Sequence, residues 1–429
     1  MISEGQFTPA VIAEIEATQH GRVHFLTPNT DSTRRRRIYC LVRCHGVPLA
    51  VYDVLLLPDV PLNEHTVFER VMREAAPSVA AHQQGDIDAA AGEAACCADV
   101  RMVRSCPPQV DVIVPTRDRP EHVRKCIQQI LSSDYPRDHI TLTIVDNVPS
   151  SDATRQVVAQ FQDDRVRYVR SDEAGSASAR NAGLAATAAE IILFTDDDVV
   201  VDASWIVSIV AAFAGSPLTG CVTGLILPLE IETPAQQWFE DYGGFGKGFQ
   251  SKSWSLSMPP RDDPLFPFAA GSFGSGNSMA FRRSTLLAVG NFDPLLGNGT
   301  PTLGGVDIEM FIRVIAAGFT LTYEPRAVIW HQHRRDFDAL ARQVYSYGVG
   351  LTAVMLRTVL HRPRLLGRLA IAVPSGVRYA LASGSAKNAS KGAGYPSKLR
   401  SLEVRGMLMG PIRYALSYGL STGHRFRRR

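Results

Sequence analysis

The stretch that most constrains this chain is Ile191–Asp198, Ile-Ile-Leu-Phe-Thr-Asp-Asp-Asp. A continuous apolar run bounded by polar residues reads as a strand buried on both faces, as inside a parallel sheet. It empties into three adjacent carboxylates, Asp196, Asp197 and Asp198. Like charges this close repel one another at the edge of a core. A bound divalent cation relieves that repulsion, because hard cations such as Mg²⁺ take oxygen ligands from carboxylates and substrate phosphates. Ligands of open α/β sheets bind at the carboxyl ends of the strands. Taken alone, an Asp triplet is better read as a solvated acidic loop, or as an N-cap cluster for the helix starting near Trp205. The surrounding chain decides otherwise.

Before the triplet, strand and helix signals alternate. Val110–Val114 is a short apolar strand followed by Pro115-Thr-Arg-Asp-Arg-Pro120. Val123, Ile127, Ile130 and Leu131 then recur at the spacing of a buried helix face, and Pro120 suits the start of that helix. Thr141–Val145 is a second strand ending in Asp146-Asn147, and Val166–Val169 a third. Gly175–Ala189 is rich in small residues and reads as a helix with Arg180-Asn181 in its first half. This order predicts an α/β fold with a mainly parallel sheet. There is no P-loop and no Gly-rich dinucleotide fingerprint, so phosphates must be held by other means.

Four blocks carry a resemblance: Val-Ile-Val-Pro-Thr-Arg-Asp-Arg-Pro (112–120), Val-Asp-Asn (145–147), Ala-Arg-Asn-Ala-Gly (179–183) and Phe-Thr-Asp-Asp-Asp (194–198). In order and spacing they resemble the nucleotide-binding half of family-2 glycosyltransferases of the GT-A fold. The resemblance continues through Gly274–Arg283, Gly290–Asp293, Gly304–Glu309 and Val328–Arg334. It covers about half of the chain and implies a metal-dependent, inverting transfer from a nucleoside diphosphate sugar to a hydroxyl acceptor. Such transfer needs a clamp on the leaving diphosphate, a base for the acceptor and a pocket for the donor.

The resemblance also implies roles. Pro115, Thr116 and Arg117 lie near base and ribose, and Asp146 near the nucleobase. Arg180 stabilises the diphosphate or positions Asp146, the alternative being a buried Asp146–Arg180 ion pair. Within the Asp-x-Asp pattern, Asp196 and Asp197 contact the donor, while Asp196 and Asp198 are the preferred metal pair, with His331 as a further ligand. The cofactor is then Mg²⁺ or Mn²⁺, a Lewis acid on the departing phosphate oxygens. Asp307 matches the catalytic base, with Glu309 as the fallback; Val306 stands where the family has an acid. The alternative for Asp307 is a cap on the helix Ile308–Ala317. Gly274, Gly276 and Asn277 would line the sugar or acceptor cleft, since glycine permits close backbone approach. Trp238, Phe239, Tyr242, Phe245 and Phe249 shape that cleft or simply pack.

At 429 residues, one catalytic domain with additions at both ends is expected: an α+β module over 1–105, the GT-A domain over 106–336 and a basic helical extension over 337–429. In the first, Arg37–Cys44 and Pro48–Leu57 predict a hairpin and Glu64–Gln83 a helix; Arg34–Arg37 reads as a solvated basic face and 88–98 as a linker. The seven cysteines, Cys40, Cys44, Cys96, Cys97, Cys106, Cys126 and Cys221, form no zinc-type spacing and read as free thiols of a reducing cytosol. The N-terminus lacks signal-peptide features, and no apolar run is long enough to span a bilayer.

The net charge of +3 gives no global signal for nucleic acid. After His331, however, Lys and Arg far outnumber the acids Asp336, Asp338 and Glu403. Leu365–Leu381 and Leu402–Leu420 predict helices with basic and apolar faces, joined by a flexible 383–398 segment. Such helices suit an anionic membrane surface, here the inner face of the plasma membrane, and a lipid-linked or cell-envelope glycan acceptor; the alternative is that they pack onto the catalytic domain. The rival readings are a nucleotidyltransferase, for which Arg117-Asp118-Arg119 is a poor triphosphate loop, and a catalytically inactive nucleotide-sugar-binding subunit.

Overall fold

The computed structural model describes residues 7–19, 21–27, 36–57, 60–88, 98–261, 263–268, 271–382, 385, 388, 391 and 394–427. The first part of the chain forms β1 (Ala10–Glu16), β2 (Val23–Phe25), β3 (Arg37–Cys44), β4 (Val47–Leu55) and α1 (Glu64–Asp88). The four strands make a sheet of order β2-β1-β3-β4. The expected hairpin is β3–β4, turned at His45 and Gly46, whose φ angles of 54° and 78° are left-handed. α1 covers the sheet with Val67, Val71, Ala75 and Val79, all buried. β1 and β2 lie outside the sequence expectation, although Gly21, at φ 76°, stands in the connection between them.

The central unit follows as α2 (Ala98–Ser105), β5 (Val110–Thr116), α3 (Pro120–Leu131), β6 (Ile140–Asn147), α4 (Ala153–Gln160), β7 (Val166–Ser171), α5 (Ser176–Ala186) and β8 (Ile191–Phe194). It continues through β9 (Val199–Val201), α6 (Trp205–Ala214), β10 (Thr219–Pro228), α7 (Pro234–Tyr242), β11 (Lys252–Trp254), β12 (Met279–Arg282), α8 (Arg283–Val289), α9 (Val306–Ala316) and β13 (Thr320–His331). These strands form one nine-stranded sheet, β11-β13-β10-β12-β8-β5-β6-β7, with β9 paired to β13.

β7, β6, β5 and β8 run parallel, and β12 enters antiparallel between β8 and β10. All four residues of β8 are buried, as its apolar run requires. α6 packs beneath with Trp205, Ile206, Ile209 and Val210. α5 comes close on the other face because it is built of small residues. On α3, Val123, Cys126, Ile127 and Ile130 are buried, and Leu131 only partly.

Longer helices close the described chain: α10 (Phe337–His361), α11 (Leu366–Leu381) and α12 (Ser397–Arg427). α10 and α12 touch nearly backbone to backbone: a Cβ on Gly406 would collide with the Tyr345 carbonyl, and one on Gly410 with the Val349 carbonyl and the Thr352 hydroxyl. No helix among the described residues is long and apolar enough to cross a membrane. Arg34 and Arg35, the 89–97 part of the linker with Cys96 and Cys97, much of 383–398, and Arg428–Arg429 lie outside the described residues.

The first part of the chain is tied to the central sheet near the candidate site. Ala10 donates its N–H to the Ile231 carbonyl (2.9 Å), Arg43 pairs with Asp202 (2.6 Å), and Arg37 donates to Gln237 (2.6 Å).

One buried charge in the sheet makes stability depend on pH. Asp111, fully buried in β5, accepts from the Thr143 hydroxyl (3.0 Å), and burial raises it to about 6, with Thr187, Thr143, Arg167 and Arg283 pulling the other way. A carboxyl raised on folding binds its proton more tightly in the native state. Its contribution is therefore present at low pH and lost as pH rises from about 4 through about 6, amounting to about 3 kcal/mol. Asp111→Asn, which keeps the acceptor for Thr143, is expected to gain in Tm relative to wild type between pH 4.5 and 7.5. A Tm difference independent of pH would count against this reading.

Candidate active site

β8 delivers the Asp triplet to the sheet edge, where Asp197 and Asp198 form the turn into β9. Asp196 and Asp198 line a cavity of about 2150 Å³, whereas Asp197 does not. Asp197 is held inward, accepting from the Thr116 hydroxyl (2.6 Å) and from Arg119 (2.9 Å). Asp196 pairs with Arg180 (3.3 Å). Burial pushes Asp196 up to about 7, aided by Asp198, Asp197 and Asp307 and opposed by Arg180. Arg180 thus meets Asp196 rather than Asp146, which corrects the ion pair read from sequence. The Arg180 Nε is buried with no hydrogen bond among the described residues.

Asp198 has an unusual neighbour. Its Oδ1 is buried, accepts no hydrogen bond among the described residues, and lies 3.5 Å from His331 Nε2. Behind His331, its Nδ1 is 3.0 Å from His333 Nδ1, and His333 Nε2 is 2.8 Å from Glu240 Oε1. A carboxylate can only accept, so His333 donates through Nε2; in the neutral tautomer of His333 its Nδ1 then accepts, and His331 donates through Nδ1. The His331 Nε2 therefore points a lone pair at the Asp198 carboxylate. Burial, together with His333, Arg334 and Arg119, pushes His331 down to about 4, which keeps it neutral near pH 7. Phe245 packs edge-on to His331 (5.2 Å) and Phe239 against His333 (4.5 Å). These two members of the aromatic run thus serve the histidines as well as the cavity wall.

Two acceptor atoms facing each other across 3.5 Å make a cradle for a cation, and a metal-ligating imidazole usually has its other ring nitrogen hydrogen-bonded, as His331 has to His333 and, behind it, Glu240. The fit has two protein ligands, not three. Among the described residues, Asp196, Asp198 and His331 do not form a group whose ligand atoms all lie within 4.8 Å. Mg²⁺ and similar ions are often held by one or two protein groups plus substrate phosphates, so the pair suffices, and Asp196 is left to Arg180.

Asp307 lies in the first turn of α9. Gly305, not Asp307, is the N-cap of α9, so the capping alternative is set aside. The Asp307 carboxylate accepts the N–H of Gly276 (2.8 Å) and of Ile308 (2.9 Å) and faces the same cavity as Asp196 and Asp198. Gly274, Gly276 and Asn277 also line it. Gly274 has φ 118° and sits so near Thr223 that a Cβ would lie 2.5 Å from it. Val306 is buried at the start of α9.

Glu309, the fallback base, is corrected by its surroundings. It is 2% exposed, bound by Arg313 and Arg357, and does not line the cavity. Two guanidiniums neutralise it in a buried network. Asp146 is 0% exposed and accepts from the Tyr168 hydroxyl (3.1 Å); its Oδ1 has no hydrogen bond among the described residues. Burial raises it, while Tyr168 and Thr154 lower it. Pro115 and Thr116 end β5 beside Asp146, with the exposed Arg117 just after them, and none of the three lines the cavity.

Sequence reasoning missed Arg119, His333, Glu240 and Lys247. The first was visible in Arg117-Asp-Arg119 and the second in His331-Gln-His333. Lys247 is a cavity residue that burial lowers to about 8, with Glu240 opposing.

Comparison with known proteins follows the same lines. The model of Glycosyl transferase family 2 matches residues 111–284. Glycosyltransferase AglE of Haloferax volcanii is 30% identical over 254 residues, covering 58% of this chain and 75% of that protein. A pre-mycofactocin glycosyltransferase of Mycobacterium tuberculosis is 28% identical over 175 residues, which cover 41% of this chain and 34% of that protein, so the match spans about a third of that relative. A solved mannosyltransferase from Pyrobaculum calidifontis, in complex with GDP-Man and Mn²⁺, is 17% identical with a TM-score of 0.46, over 71% of this chain and 87% of that one. The motifs from Val112 to Asp198, the cavity they open on and the similarity to AglE agree: the chain belongs to glycosyl transferase family 2.

Proposed function

We propose that this chain moves a sugar from a nucleoside diphosphate sugar to a hydroxyl acceptor with inversion, and that it does so with a bound divalent cation, Mg²⁺ or Mn²⁺. The observation that carries the metal is the bare Asp198 Oδ1 facing the lone pair of His331 Nε2 at 3.5 Å. Bound there, the cation would supply Lewis-acid stabilisation of the diphosphate.

The rest is the work of the chain. Arg180, with its unmet Nε, adds positive charge on the diphosphate side of the cavity. Pro115, Thr116 and Arg117, with the buried Oδ1 of Asp146, unbonded among the described residues, form the nucleoside end, with Asp196 on the cavity wall and Asp197 held behind it. Asp307 takes the acceptor proton as its oxygen attacks the anomeric carbon and the diphosphate departs from the opposite face. Two backbone N–H groups hold that carboxylate in place. Gly274, Gly276 and Asn277 border the transferred sugar. We assign the role of base to Asp307 alone.

The acceptor end of the cavity supports a lipid-linked acceptor. Its lining runs from Asp307 to Leu369, Ala372, Val373 and Val377 of α11. Beside it, Ile371 is 77% and Leu408 73% exposed, on helices that carry Arg368, Arg378 and Arg405. Apolar and basic faces together match an anionic bilayer surface, as at the inner face of a plasma membrane.

The test is nucleotide release from UDP-, GDP- and dTDP-sugars with Mn²⁺ or Mg²⁺ and with EDTA, run with and without anionic vesicles. EDTA-sensitive release from one donor, and sedimentation with anionic but not neutral vesicles, is expected. Absence of binding to any donor would sink the transferase reading; failure to sediment at low salt would sink only the membrane surface.

A further inference from the structure

We infer that Cys44, His45 and His82 form a second metal site, of the zinc class, which fastens the β3–β4 hairpin to α1. Sequence spacing hides it, because Cys44 and His45 are adjacent and His82 is far along the chain. The fold brings one ligand atom from each to within 4.8 Å of the others. Cys44 Sγ is 3.9 Å from His45 Nδ1, and the two imidazole rings are 6.1 Å apart at 45°. In a tetrahedral zinc site with the usual bond lengths, sulfur and nitrogen ligands lie about 3.6 Å apart. The observed separation asks for a shift of a few tenths of an ångström.

Both elements present their ligands firmly. His45 occupies a left-handed turn position, φ 54°, where Asn or Gly would be more ordinary. The turn is pinned by Glu16, whose carboxylate accepts the N–H of His45 (2.9 Å) and of Gly46 (2.8 Å). On α1, Val67, Val71, Ala75 and Val79 form the buried face. Three residues past Val79, where that stripe would call for another aliphatic side chain, stands His82. An imidazole at the end of an apolar stripe, aimed at a cysteine and a second imidazole, is a donor set in search of a soft cation. One thiolate and two imidazoles favour zinc, whereas the carboxylates at Asp196–Asp198 favour Mg²⁺ or Mn²⁺. Burial falls from Cys44 through His82 to the exposed His45, so the fourth position opens to water, and the ion would cross-link helix and hairpin.

The experiment titrates Co²⁺ into the full-length, chelator-stripped and reduced protein, following the thiolate-to-cobalt charge-transfer band, and then displaces it with Zn²⁺. One equivalent with that band is expected in wild type and equally in Asp198→Ala. His82→Gln and His45→Asn, the latter suited to the left-handed turn, are expected to weaken binding at least tenfold and to abolish the rise in Tm with Zn²⁺, while the metal-free Tm stays unchanged. A wild-type protein without the band, or a band that survives both substitutions, would overturn the proposal, since other cysteines would then hold the metal.

Discussion

Asp307→Asn is expected to lower kcat by about 10²- to 10⁴-fold, the range for removing a positioned base, while leaving donor affinity within about twofold. Asparagine keeps the volume and an oxygen to accept the Gly276 N–H, so the loop that borders the sugar stays in place. What it loses is the ability to take a proton. Turnover measured with acceptor, beside donor binding by calorimetry, separates the two effects. A fall in kcat below tenfold would show that another group deprotonates the acceptor. Glu309 is a poor substitute, because its charge is spent on Arg313 and Arg357.

Asp198→Ala is expected to act at the other end of the reaction. It removes the carboxylate opposite His331 Nε2, so Mn²⁺ or Mg²⁺ should no longer tighten donor binding, and EDTA should no longer loosen it. A loss of about 10³-fold in kcat/KM corresponds to about 4 kcal/mol of charge stabilisation on the leaving group. The readout is donor affinity against metal concentration. A variant whose donor affinity still climbs with Mn²⁺ would move the cation elsewhere in the cavity and free His331 from the role given to it.

Local physics made part of this legible. The buried run of β8, the helical face of α3, the β3–β4 hairpin and the strand ending at His331 each follow from periodicity or turn chemistry within a few residues. The meeting of Asp196, Asp198, Asp307 and His331 around one cavity was readable only through resemblance, since it joins residues more than a hundred positions apart. Partner choice was not readable at all. Arg180 faces Asp196 instead of Asp146 because α5 and β8 set its direction, and Glu309 turns inward because α10 brings Arg357 to it. The insertion of β12 between β8 and β10 likewise depends on long-range pairing that no window of Met279–Arg282 displays.

The glycine contacts along α10 carry a mechanical consequence. Most helix pairs meet through a layer of side chains, which can change rotamer and absorb a displacement. Between α10 and α12 that layer is missing at Gly406 and Gly410, and on the same stretch of α10 a Cβ on Gly350 would stand 2.9 Å from the backbone of Gly304 and Gly305. Those two residues lead directly into α9 and Asp307. From α12 to Asp307 there is thus a chain of close contacts with little slack, so a push on α12 is passed on towards Asp307 with little damping.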